Sequence, residues 1–192
     1  MPQSRCATCG HLSSHHFAIT GQGESLPSVS KLKRLWTHEF TIGHDVLLCP
    51  TCGAWFELTH DTAFTGSGNG DSQTLQRLAP EVWSPLERLV HGETANADAV
   101  LTTAFTHLNE ELLLRAFDCM KVEVFASWLP ALVSRFLAAS DPDTLYRVLV
   151  RVIDVEVLRA RYLELVRVQT APPSRHAKHL TTLCEETAAK RR

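Results

Sequence analysis

The sequence predicts an α+β protein, in which a small four-cysteine module precedes a mainly α-helical domain. Two turns of the form CxxCG lie within the first 53 residues, among short stretches rich in β-branched and aromatic residues. A glycine-rich stretch then marks a boundary. Beyond it, helix-start signals recur before apolar residues at helical spacing, which predicts several helices.

The composition is that of a globular protein. Hydrophobic residues make up 44% and charged residues 21% of the 192 residues, so the chain can bury a core. The net charge of −2 does not favour electrostatic binding to nucleic acid or to anionic membranes. The sequence has no apolar stretch typical of a signal peptide or a membrane span. We therefore expect a cytoplasmic protein without a membrane partner.

Changes in composition predict four consecutive segments. Residues 1–65 hold the paired cysteines, residues 66–72 form a glycine-rich linker, residues 73–170 form an α-helical domain, and residues 171–192 form a C-terminal helical tail. Three glycines within five positions indicate the linker, and two consecutive prolines precede the tail.

The cysteine-rich module should contain short strands and one helix. The stretches HHFAIT at 15–20, DVLL at 45–48 and AWFEL at 54–58 are typical of strands that enter or leave a tight turn. The stretch SVSKLKRLW at 28–36 is predicted as a short helix that begins after a serine.

Three helix starts are predicted in the helical domain. SPLE at 84–87 combines a capping serine, a proline at the first helical position and a glutamate three residues after the cap. NEE at 109–111 places two acids against the positive end of a helix. DPD at 141–143 is the third start.

A weak repeat runs through the helical domain. Residues 109–125 align with residues 142–158 at an offset of 33, so that Leu112 meets Leu145 and each stretch carries VEV at the same place. A period near this length is typical of helix pairs stacked in a short solenoid. Two amphipathic helices can also match by chance, so both interpretations stay open.

Four of the six cysteines form two pairs of identical spacing, Cys6 with Cys9 and Cys49 with Cys52. Two intervening residues let both thiolates reach one tetrahedral ion from a single turn. The following glycine accepts a positive φ, and Pro50 stiffens the second turn. In a chain without a signal peptide, this pattern favours a metal over disulfides.

Together the two turns predict one closed site with four sulfur ligands: Cys6, Cys9, Cys49 and Cys52. A site with no open position favours structural Zn²⁺ over catalytic Zn²⁺. Iron suits the same four thiolates and is the less favoured metal. Two disulfides or a redox-active dithiol are less favoured still. We therefore expect a metal site without catalytic residues, and no organic cofactor.

The paired turns resemble a zinc ribbon, the rubredoxin-like class in which CxxC turns at the tips of hairpins hold one zinc. The resemblance covers residues 1–60 and implies that all four paired cysteines are ligands. The 39 residues between Cys9 and Cys49 are long for a minimal ribbon, which implies an inserted segment. The repeated CxxCG form also resembles the double-CXXCG motif proteins of myxobacteria, some of which are thought to be immunity proteins against delivered toxins.

Histidines are concentrated in residues 1–65 and offer a second metal site or an acid–base pair, with His60-Asp61 as an oriented imidazole. No HExxH motif or recognisable nucleophile elbow accompanies them, so we expect supporting and surface roles. Cys119 and Cys184 have no neighbouring base in the sequence, and we expect Cys119 to be a buried small apolar residue and Cys184 to lie on a helix face. The histidines concerned are His11, His15, His16, His38, His44 and His60.

Basic residues occur as KLKR at 31–34, as arginines between 135 and 167, and as a terminal KRR. Acids interleave with the arginines, which is typical of a salt-bridged helix face and less so of a phosphate-binding track.

The sequence therefore favours a non-enzymatic, zinc-stabilised module that binds a protein partner, and it leaves the oligomeric state open. The family resemblance implies a toxin as that partner in an immunity role, with an adaptor role as the other form of the same function. Glu110, Glu111 and Glu123 are candidate contact residues for the partner. The alternative is a nucleic-acid-associated regulator that uses the zinc ribbon and the KLKR segment.

Overall fold

The structure, a computed structural model, describes residues 6–36, 42–65, 68–168 and 174–190. These residues form a five-stranded antiparallel sheet followed by seven α-helices, which confirms the predicted α+β class. The chain divides into two compact units, and the boundary lies between Trp83 and Ser84. No helix in the described parts of the chain has the length and apolar character needed to cross a membrane.

The sheet belongs to the first unit and includes the three stretches that were predicted as strands. Its strands are β1 (His15–Ile19), β2 (Lys33–Trp36), β3 (Ile42–Leu48), β4 (Trp55–Thr65) and β5 (Gly68–Arg77). They lie in the order β1-β5-β4-β3-β2, and every neighbouring pair is antiparallel.

The helix predicted at residues 28–36 is wrong, because the second half of this stretch is β2. Lys33 pairs with Leu48 and Arg34 pairs with Leu47, so β2 takes its backbone hydrogen bonds from β3. A short segment without an apolar helical stripe is stabilised more by this strand pairing than by a single helical turn.

The glycine-rich stretch, predicted as a linker at 66–72, is part of the sheet where the structure describes it. Gly68–Arg77 form β5, which pairs along its whole length with β4, while residues 66 and 67 lie outside the described residues. Clustered glycines are as typical of a hairpin between two strands as of a linker. The division into two units therefore lies later in the chain than the predicted boundaries.

One face of the sheet carries the apolar core of the first unit. Leu47 pairs with Phe56 across β3 and β4, and Leu58 pairs with Leu75 across β4 and β5, so all four side chains share this face. The same buried cluster contains both CxxCG turns, which therefore pack on the sheet. Its remaining buried members are Cys9, Leu12, Leu32, Cys49 and Ala54.

Seven helices follow the sheet. They are α1 (Pro80–Val90), α2 (Ala97–His107), α3 (Glu110–Asp118), α4 (Val122–Ala138), α5 (Asp143–Leu149), α6 (Glu156–Arg167) and α7 (Arg175–Lys190). The predicted starts at Asn109 and at residues 141–143 are confirmed, and the Asn109 side chain accepts a hydrogen bond from the Leu112 N–H at 2.7 Å. The predicted start at Ser84 is wrong, because Pro80 already occupies the first helical position of α1.

Helices α2 to α7 form a two-layer arrangement, which we call the helical stack. In one layer α3 contacts α5 and α5 contacts α7; in the other α2 contacts α4 and α4 contacts α6. Helices α3, α5 and α7 begin at residues 110, 143 and 175, close to the 33-residue offset of the sequence. Leu112 and Leu145, which the offset aligns, are both buried. This stacking supports the helix-pair repeat over a chance match.

Candidate metal centre

Each CxxCG segment forms a tight turn that closes on its first cysteine. The Gly10 N–H donates to the Cys6 carbonyl oxygen at 2.7 Å, and the Gly53 N–H donates to the Cys49 carbonyl oxygen at 3.0 Å. Gly53 has a φ of +69°, which confirms that a left-handed residue ends the second turn. The two turns therefore share this closing hydrogen bond, but Gly10 does not have the positive φ that the sequence predicts after the second cysteine.

The sheet positions the two turns in different ways. The second turn is the tip of the β3–β4 hairpin, where Leu48 pairs with Trp55 and the Cys49 N–H donates to the Ala54 carbonyl oxygen at 2.8 Å. The first turn precedes β1 and is held by burial of Cys9 and Leu12 in the core of the first unit. Among the described residues, the hairpin support that the zinc-ribbon pattern implies is therefore present at the second turn alone.

The four sulfur atoms of the paired cysteines come together in space. The Sγ of Cys6 lies 3.7 Å from that of Cys49, 43 residues away, and the Sγ of Cys9 lies 3.4 Å from that of Cys52. All four Sγ atoms lie within 4.8 Å of one another. Four sulfurs at about 2.3 Å from one ion would be about 3.8 Å apart, so this cluster can hold one tetrahedral metal ion.

The electrostatics of the cluster call for a cation. Burial raises the pKa of Cys9 strongly, and the neighbouring sulfurs raise it further. Burial also raises the pKa of Cys52, whereas backbone N–H donors from Cys9 and Thr8 lower the pKa of Cys6 to about 6. The positive charge of a divalent ion would favour the thiolate forms of Cys9 and Cys52 that metal binding requires. Zinc and iron both suit four thiolate ligands.

Cysteine alone supplies the ligands of this cluster. Within the described ranges, no histidine or carboxylate joins the four sulfurs. Cys9 and Cys49 are buried, Cys6 is half-buried and Cys52 is exposed, so the cluster lies at the edge of the core. Four sulfur donors fill every position of a tetrahedral ion.

His44 and His60 occupy two separate places on the sheet. The Nε2 of His44, which is buried, lies 2.7 Å from the Oε1 of Glu57. The Nδ1 of His60 lies 3.0 Å from the Nε2 of Gln73, and its Nε2 lies 4.0 Å from Asp45 rather than beside the predicted Asp61. Because His44 and Asp45 are adjacent in β3, they point to opposite faces of the sheet.

The remaining histidines of the first unit make local contacts where the structure describes them. His11 Nε2 lies 3.1 Å from the Ser28 carbonyl oxygen, and His16 Nε2 accepts from the Ser13 N–H at 2.8 Å. His15 lies in β1, and His38 lies outside the described residues. A second metal site formed by three or more such groups is absent from the described residues.

The two isolated cysteines belong to the second unit, and burial raises the pKa of both thiols. Cys184 is fully buried and its pKa rises to about 11, while Cys119 is half-buried. Both thiols therefore remain protonated near neutral pH. Burial, which was predicted for Cys119, is complete only at Cys184 on α7.

Some of the basic residues form ion pairs. In the KLKR segment, Lys31 and Lys33 are exposed, but Arg34 lies 3.1 Å from the buried carboxylate of Asp45. On the helical stack, Arg147 pairs with Glu110, and Arg161 lies 2.9 Å from Glu164. Arg147 and Arg161 therefore bear out the predicted salt-bridged face in part, whereas Arg151 and Arg159 donate to backbone carbonyl oxygens instead.

Comparison with known proteins found no matching family model, curated protein or solved structure. The resemblance to zinc ribbons and to double-CXXCG proteins therefore rests on the paired turns themselves.

Proposed function

We propose that the chain is a non-enzymatic protein-interaction module whose first unit is held together by one structural Zn²⁺, as in a zinc ribbon. The four-sulfur cluster carries this proposal, because cysteine fills every position of a tetrahedral ion and leaves none for a substrate or water. Zn²⁺ is the preferred metal because closed tetrahedral thiolate coordination is its usual structural geometry.

The metal would stabilise the fold of the first unit. The apolar cluster on the sheet is small, and two of its buried members are the ligands Cys9 and Cys49. Binding of Zn²⁺ to such a site contributes on the order of 10 kcal/mol, which is comparable to the whole stability of a domain. A small module with this core gains its stability from the metal.

The helical stack offers the surface for a partner. Stacked helix pairs present extended faces to other proteins. The exposed acids Glu110, Glu111 and Glu123 lie at the starts of α3 and α4, and the first two line a groove of about 320 Å³ that also includes Arg147. Arg115 and Asp118 line the same groove, and its two arginines pair with Glu111 and Glu110. Three acids against two arginines leave a small negative charge, which supports a partner with a basic surface.

Within this class, toxin neutralisation is the leading specific role and an adaptor role is the second. The resemblance of the two CxxCG turns to the double-CXXCG proteins supports the first. An immunity protein of this kind binds over the active surface of its toxin and blocks it. It therefore needs a rigid scaffold and no catalytic residues of its own.

The decisive experiment is affinity capture of the full chain from its source cell, with identification of the partner by mass. We expect a stable complex that is lost when Glu110 and Glu111 are changed to lysine together. The matched control changes the exposed Glu185 and Glu186 of α7 to lysine and should retain the partner. If both double variants retain the partner equally, the acids of α3 do not form the interface. A chain that captures no partner contradicts the interaction role.

A nucleic-acid-associated regulator is the second candidate, favoured by the exposed Lys31 and Lys33 beside the sheet. Contacts of this kind weaken steeply with salt. A gel-shift assay with DNA and RNA at about 50 mM salt, where such contacts are strong, therefore tests this function most sensitively. A shift that disappears in Lys31→Gln/Lys33→Gln supports it, and the absence of any shift removes it.

A further inference from the structure

A buried arginine lies on α6 without an acidic partner among the described residues. Arg159 is only 4% exposed, and its Nη1 donates to the Ile153 carbonyl oxygen at 2.6 Å. A guanidinium carries five N–H donors, so this bond accounts for one of them. A buried charge is costly unless a counter-charge or further hydrogen bonds compensate it. Arg159 is therefore unusual within this fold.

The nearest thiol does not supply the counter-charge. Arg159 lies close enough to Cys184 to favour its thiolate, but burial outweighs this effect and raises the pKa of Cys184 to about 11. Cys184 is therefore a neutral thiol near neutral pH. The carbonyl oxygen of Ile153 contributes only a dipole.

Arg159 lines a groove beside α7. The groove has a volume of about 350 Å³ and is lined along α6 by Arg159, Ala160, Leu163 and Arg167, with Ala188 on α7. Arg167 is exposed and places a second guanidinium at the rim, while the alanines and the leucine form an apolar wall. The groove thus joins a buried cation to a short apolar surface.

We propose that this groove binds a carboxylate group on a short aliphatic chain, the chemistry shared by propionate and by a glutamate side chain. Arg159 anchors the carboxylate from below, Arg167 contacts it from the rim, and the apolar wall packs on the methylene groups. The site belongs to the second unit, so it goes beyond the proposed metal-stabilised function and does not depend on it.

The groove also contains two carboxylates, Glu156 and Glu164. Glu164 lies 2.9 Å from Arg161, so its charge is offset outside the groove, and two guanidiniums then face Glu156. A guanidinium recognises both carboxylate and phosphate. Phosphate lacks the methylene groups that pack on the apolar wall, so we expect propionate to bind more tightly than phosphate.

The test is a titration of the full-length, zinc-loaded chain followed by ¹⁵N NMR of the arginine side chains at constant ionic strength. Sodium propionate should shift the Nε–H resonance of Arg159 saturably. Propionamide, its neutral isostere, should not shift this resonance, and inorganic phosphate should bind more weakly than propionate. A glutamate tripeptide blocked at both ends separates the two sources: tighter binding of the peptide indicates a protein side chain, and tighter binding of propionate indicates a free small acid.

A variant of the exposed Arg167 tests binding without replacing the buried Arg159, whose loss could unfold the chain. Arg167→Gln should weaken propionate binding about threefold, the effect of removing one partly screened charge. The control Arg175→Gln removes an exposed charge of α7 outside the groove and should bind propionate like the unaltered chain. The proposal is overturned if no saturable shift occurs at Arg159, if propionamide acts like propionate, or if phosphate binds more tightly.

Discussion

Thr8 and Thr51 hold the same position in the two CxxCG turns, and their hydroxyl oxygens lie 2.6 Å apart. The sulfur contacts of Cys6 with Cys49 and of Cys9 with Cys52 also join equivalent positions. The two turns are therefore arranged with approximate two-fold symmetry around the sulfur cluster. The threonine bridge links them on the exposed side.

Removal of this bridge should loosen the metal centre. Thr51→Val keeps the side-chain shape and removes the hydroxyl, so the zinc-loaded chain should lose about 1 kcal/mol of unfolding free energy. It should also release zinc faster to a chromogenic chelator. Thr51→Ser retains the hydroxyl and should behave like the unaltered chain. Unchanged stability and release in Thr51→Val would show that the bridge does not support the site.

Each of the four paired cysteines should be required for the metal. Replacement of Cys6, Cys9, Cys49 or Cys52 by serine removes one sulfur ligand and should reduce bound metal and unfold the first unit. Elemental analysis together with amide hydrogen exchange measures both effects. The matched control is Cys119→Ser, which should retain metal and fold. Full metal content in Cys52→Ser, the most exposed ligand, would contradict a four-sulfur site.

The clustering of the four cysteines could be predicted from sequence because its determinants are local. The spacing of Cys49 and Cys52, with Pro50 between them and Gly53 after them, specifies a turn of known shape. Two such turns in one chain imply one shared ion. For the same reason the helix start at Asn109 was predictable, since its side chain caps a neighbouring N–H.

The parts that could not be predicted depend on strand pairing. The approach of Asp45 to His60 and of His44 to Glu57 follows from the register of β3 against β4, which no local pattern specifies. Asp61 was the expected partner of His60 only because it is its neighbour in sequence. The strand β2 was missed in the same way, because its hydrogen bonds come from β3.

Arg151 should stabilise the helical stack far more than its exposed neighbour Arg147. The Arg151 guanidinium donates to the carbonyl oxygens of Phe117 and Met120 at the end of α3, and its Cζ lies 5.2 Å from the ring centroid of Phe125. Arg151→Met should therefore cost about 2–3 kcal/mol of unfolding free energy. Arg147→Met breaks only an exposed ion pair with Glu110 and should cost less than about 1 kcal/mol. Urea unfolding followed by helical circular dichroism compares the two variants, and equal losses would contradict the role of Arg151.

Alkaline pH should destabilise the helical stack through Tyr162. Burial raises the pKa of its phenol from 10.0 to about 12, so the folded chain favours the neutral form. This contribution is complete below about pH 10, the ordinary pKa of tyrosine, and is lost as pH rises through the folded value. Tyr162→Phe should therefore lose less stability than the unaltered chain between about pH 10 and pH 12 in urea unfolding.

A second variant measures this pKa directly. The chain has two tyrosines, so in Tyr146→Phe the phenolate absorbance reports Tyr162 alone. The titration midpoint should lie well above the ordinary value of about 10. A midpoint at the ordinary value in the folded variant would show that Tyr162 is not buried in the stack.

X-ray absorption spectroscopy of the purified full chain, with elemental analysis of the same sample, tests the shared metal site most directly. The account predicts one metal ion per chain, surrounded by four sulfur atoms at about 2.3 Å and by no nitrogen or oxygen ligand. A folded chain without metal, or a metal shell that contains nitrogen, oxygen or fewer than four sulfurs, would contradict it.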